Sequence, residues 1–527
     1  MAFIVKTEIA QPRSLIVKRN AIFKIFDTWS NIPGNFWNLT NNPYGKTITN
    51  FSVFYYPAYA NQVYVNWGDN ISQSTSFGTL LSHTFGITRS GISIIKTNEY
   101  SVDISTILCG TSSPKLNGTI NLSAFPNLAF FQCINNGITA INGYENNPNL
   151  IEFNFSTNNV TGAVPNLSTF TELQGFYCDN NQLTGSIPGL SSNTSLRIFE
   201  CGNNQLTGSI PSLSANTELK GFYCQINQLT GSIPNLNSNT ELKTFHCADN
   251  QLTGSIPNLS ANTQLENFYC RNNQLTGSIP SLSTNTQLKE FDCNSNQLTG
   301  SIPNLSANTQ LENFYCHNNQ LTGSIPSLSG LSNLQIFQCN ANQLTGPIPS
   351  LSGLSNLQKF SCFQNQLTGS IPSLSGLSNL QSFSCNANQL TGPIPSLSGL
   401  SGLQDFSCQN QAGATKLIGS IPSLSGLNNL KTFFCGINQL TGFASGSISN
   451  TLGNFQAQNN QLRASAVNLI LGSFVEAGRT TGTPEVNGTC ILNLGGTTNS
   501  RPINQGITDV TTLRSRGWTV TTGTVLL

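Results

Sequence analysis

The sequence predicts a repeat solenoid: an arc of stacked β turns closed by a C-terminal α/β cap and preceded by a small all-β sandwich. Three observations lead there. Eleven cysteines recur every 23 residues without a slip, at Cys178, Cys201, Cys224, Cys247, Cys270, Cys293, Cys316, Cys339, Cys362, Cys385 and Cys408. The first ten lie in one frame, LxxFxCxxNxLTGxIPxL, as from Leu265 to Leu282, and Cys408 keeps its LxxFxC half. Residues 1 to about 105 lack that frame and read as short strands broken by Pro, Gly and Asn. Self-similarity at a fixed period of roughly 20–50 residues means stacked repeats, each too small to bury its apolar face alone.

Within one repeat the frame has a physical reading. Leu265, Phe268 and Cys270 give an inward face on a strand, since side chains two apart point the same way. Leu275, Ile279 and Leu282 bring the chain back over the same core. An asparagine recurs at one corner: Asn181, Asn204, Asn227, Asn250, Asn273, Asn296, Asn319, Asn342, Asn365 and Asn388. A buried amide stacked at a bend can satisfy backbone groups that the bend leaves unpaired. Adjacent turns stack at strand spacing, roughly 4.8 Å.

The pattern LxxFxCxxNxLTGxIPxL resembles the leucine-rich repeat, with Phe and Cys at two positions usually held by Leu. Its LTGxIP segment is similar to the plant-type subclass, and that resemblance implies a short second strand in each repeat and an asparagine ladder along the solenoid. The frame extends upstream through Phe155 and Cys133, where Val160 and Ile138 replace Leu, and Cys109 is a candidate opening residue. Downstream, Cys435 follows a four-residue insertion at Ala412 to Thr415, expected to displace the corner asparagine and bulge outward, and Ala457 takes the cysteine slot in the last regular turn. The expected domains are 1–48, a β-rich segment that either completes the sandwich or serves for attachment; 49–106, the sandwich; 107–462, the solenoid; and 463–527, the cap that keeps the last turn from exposing its core. In the cap, the pattern predicts helices over 464–477 and 509–516 and strands over 489–494 and 518–521.

In the N-terminal region, Val63-Tyr-Val-Asn-Trp67-Gly-Asp69-Asn and, after a spacer, His83-Thr-Phe-Gly86 resemble the core of a polycystic-kidney-disease-type (PKD-like) β-sandwich, with Asn70 where that family has its final Gly. The resemblance implies a spacer or display module.

Composition narrows the function classes. Charged residues are 8% of the chain, and 22 Lys+Arg nearly balance 21 Asp+Glu. No basic field is available to displace counterions from phosphates, so nucleic acid is not an expected partner. No apolar run reaches the roughly 20 residues of a membrane span, and the first twenty residues lack a signal-peptide core. The cysteines, one per turn on an inward slot, are expected to be reduced and packed as small hydrophobes. No CxxC pair exists and only three histidines are present, so no metal and no cofactor is expected. Asp and Glu are scattered; Glu200 and Asp292 fall four repeats apart, about 19 Å at strand spacing, too far for glycosidase chemistry. No catalytic residue is expected.

The candidate site is the outward column between Phe and Cys, on the concave strand face of the expected arc. Tyr177, Tyr223, Tyr269 and Tyr315 occupy alternate turns, with Glu200, His246 and Asp292 between them, and the column beside it adds Arg271 and His317. Aromatic rings beside polar groups suit a sugar or a peptide. Duplication of a two-repeat unit accounts for part of this periodicity: residues 258–277 and 304–323 differ only at Arg271 versus His317. The expectation is a non-enzymatic adhesion protein that binds a cell-surface glycan or protein ligand. It would be displayed on a virion as a fibre or decoration and joined to other assembly proteins through its N-terminal region, with a homo-oligomer compatible. The alternatives are a bacterial surface or secreted adhesin and, last, a polysaccharide-processing enzyme.

Overall fold

The computed structural model describes residues 115–123, 125–478 and 490–522, together with seven strands of the N-terminal region. The chain divides into two compact units, Met1–Thr253 and Gly254–Leu527.

In the first unit, the frame forms three- and four-residue strands that pair in parallel without a register break. Phe130–Cys133 pairs with Glu152–Asn154, then come Gly175–Tyr177, Ile198–Glu200, Gly221–Tyr223 and Thr244–His246. The second unit repeats this from Asn267–Tyr269 through Glu290–Asp292 and Asn313–Tyr315 to Asn454–Gln456. Each phenylalanine lies opposite the next, so the register is fixed by the residue that fills the core. The rings stack, with centroids 5.3 Å apart for Phe199–Phe222 and 5.6 Å for Phe360–Phe383. Each such aromatic pair adds about 0.5–1.5 kcal/mol beyond its buried area. Leu265, Phe268, Cys270, Leu275 and Leu282 have no exposed surface, and Ile279 retains 4%.

The LTGxIP segment forms a second parallel sheet over part of each unit. Thr161–Ala163, Gln182–Ser186 and Gln205–Thr207 pair in the first unit, and Gly392–Pro393, Leu417–Ile421 and Gln439–Phe443 in the second. Between them the ladder shrinks to single bridges such as Ser255↔Thr276 and Ser324↔Thr345.

The corner asparagines are hydrogen-bonded throughout and differ in burial. Asn273, Asn296 and Asn388 are buried, whereas Asn181, Asn204, Asn227, Asn250, Asn319, Asn342 and Asn365 keep part of their surface in solvent. Asn296 donates through Nδ2 to the Cys270, Cys293 and Asn294 carbonyls and accepts the Leu275 N–H on Oδ1 at 2.9 Å. The residue before each asparagine is left-handed, with φ between 51° and 58° from Asn180 to Asn459. That conformation turns the chain and is what leaves the carbonyls needing a donor. At the insertion, Gln411 stands in for asparagine, donating to Cys385 and Cys408 and accepting from Leu390 N–H at 3.0 Å. Residues 412–415 behind it are exposed.

At the C-terminus, helix α1 (Ala464–Glu476) buries Val467, Ile470, Leu471 and Phe474. Two short strands, Ile491–Asn493 and Thr519–Thr521, continue the parallel pairing from Asn454–Gln456. Helix α2 (Gln505–Ser515) starts four residues before its expected position. Asp509, read as its start, is buried mid-helix, where its carboxylate accepts from Gln505 Nε2 at 2.9 Å.

In the N-terminal region, Val63–Asn66 is the middle strand of an antiparallel sheet between Ser72–Thr75 and Ser93–Lys96. Trp67, Asp69 and His83 lie outside the described residues. Ile104–Cys109 pairs in parallel with Phe130–Cys133, placing Cys109 opposite Cys133, and on its other edge pairs in parallel with Ala21–Lys24.

Candidate strand-face binding site

The third residue of each strand points away from the core. Its neighbours on the same face are the residue two before it and the residue two after it, because side chains alternate along a strand. Three columns result, and they bring together most of the expected site residues.

In the first unit, Tyr177, Glu200 and Tyr223 are consecutive register partners, followed by His246. The residues two before the tyrosines are Gly175 and Gly221. A Cβ there would meet the Tyr177 ring at 2.7 Å or the Tyr223 ring at 2.6 Å, so each ring lies across its glycine. Ile198 occupies the same position on the strand between them. Glu200 thus sits between two rings held down on the sheet. Among the described residues its carboxylate takes no hydrogen bond and no ion pair. Burial, and then Asp179 one turn back, push Glu200 up to about 7. Asp179 itself is fixed by the Ser156 hydroxyl and by Asn180 Nδ2. Burial raises Tyr177 to about 12, with Glu152 and Glu200 adding to it.

In the second unit, Tyr269, Asp292 and Tyr315 repeat the arrangement with different chemistry. Asn267 and Asn313 replace the two glycines, and the Tyr269 hydroxyl donates to Glu290 on the next turn at 3.2 Å. Arg271 reaches Asp292 at 3.5 Å. Asn294 donates to the same carboxylate from its backbone at 3.2 Å and its side chain at 2.6 Å. Asp292 was expected on an exposed face; it is only 4% exposed, because these partners cover it. Burial raises its pKa, and Asn294 and Arg271 oppose that. His317 packs edge-on against Tyr315 at 6.5 Å, and burial followed by the Lys359 charge lowers its pKa.

Sequence reasoning missed three features. Glu290 joins the second cluster, and its signal was its position two before Asp292. The glycines under Tyr177 and Tyr223 distinguish the two clusters and are visible only once the columns are aligned. A second buried asparagine column, Asn193, Asn216, Asn239, Asn262, Asn285 and Asn308, lies at the opposite bend. Asn216 Nδ2 donates there to Leu190 and Asn193 carbonyls at 3.0 and 2.8 Å. From Leu331 onward leucine takes this slot.

Two other concavities occur in the second unit. One, of about 370 Å³, is an amide-lined groove at Glu312, Asn333, Gln335, Asn356, Gln358 and Asn379. The other, of about 550 Å³, lies between α1 and α2, where Ser473, Glu476, Gln505 and Asp509 meet. Among the described residues, no group of three His, Cys, Asp or Glu side chains is placed to hold a metal ion, and no helix is long and apolar enough to cross a membrane.

Residues 263–307 match the family model for leucine-rich repeats, in two copies. No curated protein matches the chain. Among solved structures, a TDR receptor aligns at 25% identity and a TM-score of 0.59, over 66% of this chain. The chain spans 63% of that receptor's length. The plant peptide hormone receptor RGFR1, solved in complex with RGF2, aligns at 24% identity and a TM-score of 0.56, over 79% of each chain. The functional domain of InlJ from Listeria monocytogenes, which includes a cysteine ladder, aligns at 23% identity and a TM-score of 0.49, over 65% of this chain and 75% of its own. Residues 263–307 are thus similar to leucine-rich repeats, and in each unit the described turns form a parallel β-solenoid like that of the leucine-rich-repeat structures.

Proposed function

We propose that this chain is a non-catalytic binding protein whose outward strand face takes a protein or peptide ligand. The observation that carries the reading is the pair of tyrosines on alternate turns around a carboxylate, once in each unit: Tyr177–Glu200–Tyr223 and Tyr269–Asp292–Tyr315. Ring faces and hydroxyls held by a rigid sheet present contact area at low entropic cost. The repeat fold favours this use, and its likeness to a TDR receptor at 25% identity is in keeping with it. In the same reading, residues 463–527 cap the solenoid, the corner asparagines and the cysteine column are structural, and 1–106, including a PKD-like sandwich, joins the chain to a larger assembly. We place that assembly on a virion, as a fibre or decoration that meets a host or matrix; a bacterial surface adhesin is the alternative. Mass spectrometry of purified virions separates them.

The ligand test is display of a random peptide library against the immobilised full chain. Selected peptides are then measured on Tyr177→Ala/Tyr223→Ala and on Tyr269→Ala/Tyr315→Ala. The expected result is at least a tenfold loss on one double variant. Peptides indifferent to both would put recognition elsewhere, and binding to arrayed glycans without any peptide binding would replace the ligand class.

A further inference from the structure

The two tyrosine clusters are internal copies of one arrangement, and one explains the other. In each, a carboxylate lies between register-paired tyrosines: Glu200 between Tyr177 and Tyr223, Asp292 between Tyr269 and Tyr315. In each, one further residue comes from the preceding turn, 21 positions before the carboxylate: Asp179 in the first and Arg271 in the second. In the second cluster Arg271 supplies a guanidinium to the acid, 3.5 Å away. The chain therefore completes that site with its own cation.

In the first cluster the same position holds Asp179, a second negative group, and no Lys or Arg side chain reaches Glu200 among the described residues. The nearby Arg197 is engaged elsewhere, bonding Glu218 at 3.1 Å. Glu152, two turns back, adds a third carboxylate near Tyr177. Gln225 leans across Gly202, where a Cβ would meet its Nε2 at 2.5 Å, and so closes the side of the cluster past Glu200. The result is a half-buried acid between two tyrosines, lacking among the described residues the cation that its copy has.

We propose that the face formed by Tyr177, Asp179, Glu200 and Tyr223 docks a peptide segment through a basic side chain, an arginine or lysine, which takes the place that Arg271 takes beside Asp292. The charge complementarity is direct, since two carboxylates converge there and none is neutralised by a cation. Tyrosine faces add cation–π attraction to a desolvated guanidinium or ammonium. Arginine suits the site better than lysine, because its planar fork can bond two carboxylates and stack on a ring at once. This proposal rests on the reading that the strand face binds peptide, and adds which chemistry the ligand presents and at which unit.

The test uses the same peptide library on the full chain. Peptides that lose binding on Tyr177→Ala/Tyr223→Ala are sequenced and should be enriched in Arg and Lys. On Asp179→Asn/Glu200→Gln these peptides should bind at least tenfold more weakly, whereas Glu172→Gln, an exposed acid of the same unit away from the strands, should leave them unchanged. Glu200→Arg, which installs an internal cation, should abolish their binding while circular dichroism stays that of the parent. Tyr177- and Tyr223-dependent peptides with no basic residue, or basic peptides that bind the carboxamide variant as tightly as the parent, overturn this proposal and leave the peptide-binding reading standing. Peptides bound by the chain but indifferent to both tyrosine pairs overturn both.

Discussion

Asn204 donates through Nδ2 to the carbonyl of Cys178, one turn back, at 3.0 Å. Its Nδ2 also bonds Cys201 and Gly202 within its own turn, and its Oδ1 accepts the Leu183 N–H at 2.9 Å. One amide thus serves three carbonyls and a donor, two of them in the preceding repeat. Alanine at 204 would leave all four without this partner, at about 1–3 kcal/mol for each buried group left unsatisfied. Hydrogen exchange on the Asn204→Ala variant should show the Leu183 amide losing its protection, with turns several repeats away unchanged, as nearest-neighbour coupling requires. Retained protection at Leu183 would mean that water replaces the side chain without cost.

Ile226 occupies the left-handed corner with φ 54°, where other turns place Asn180, Asn203, Asn272 and Asn318. A β-branched residue is out of place in that region, which costs an L residue roughly 1–2 kcal/mol and asparagine less. Packing does not compensate, since Ile226 is 47% exposed. Ile226→Asn should therefore stabilise the chain by about 1 kcal/mol, read as a rise in the denaturation midpoint. An unchanged or lower midpoint would show that isoleucine earns its place through contacts the backbone argument neglects.

Fourteen of the fifteen cysteines are described, and all fourteen are buried. Burial raises the thiols of Cys178, Cys224, Cys316 and Cys435 well above their ordinary range, so the reactive thiolate is scarce there as well as inaccessible. At pH 8 a disulfide reagent should find at most one reactive thiol, Cys109 being the one whose side chain is not described, and all fifteen after denaturation. Rapid reaction of two or more in the folded chain would contradict a closed core column.

Much of this fold is legible in the sequence because repetition turns a local pattern into a global constraint. Phe268 and Cys270, two apart in a 23-residue frame, specify an inward strand face, and stacking then specifies register. The second asparagine column was equally present in the recurring Asn-Thr-x-Leu of Asn193 and Asn216, but its role depends on carbonyls exposed only by the bend around it. The extent of the second sheet was not legible either, because the LTGxIP segment is nearly constant while its pairing varies along the array. In the candidate site, the tyrosine column could be read directly. That Asp292 has an internal cation and Glu200 has none among the described residues could not, since both depend on which long side chain reaches across a turn.

Glu200 offers the sharpest pH test. Facing it are Tyr177 and Asp179 from the preceding turn and Tyr223 from the next, with apolar Ile198 on its own strand. Its carboxyl titrates near 7 in the fold, against 4.5 for the ordinary group. Between those values the folded chain holds a proton that the unfolded chain has lost, so Glu200 makes stability fall as pH rises through that window. Below it the penalty is absent, and above it the penalty is complete. Glu200→Gln removes the charge, so at pH 8 the variant should be more stable than the parent by about 1 kcal/mol after allowance for solvent screening, and at pH 4 the two should match. The same variant should bind basic peptides less well at pH 8, and the parent should itself lose affinity for them as pH falls below 7. A carboxylate kept for structure would give the opposite stability result, so paired denaturation and binding curves on this one variant separate a structural acid from one retained for its ligand.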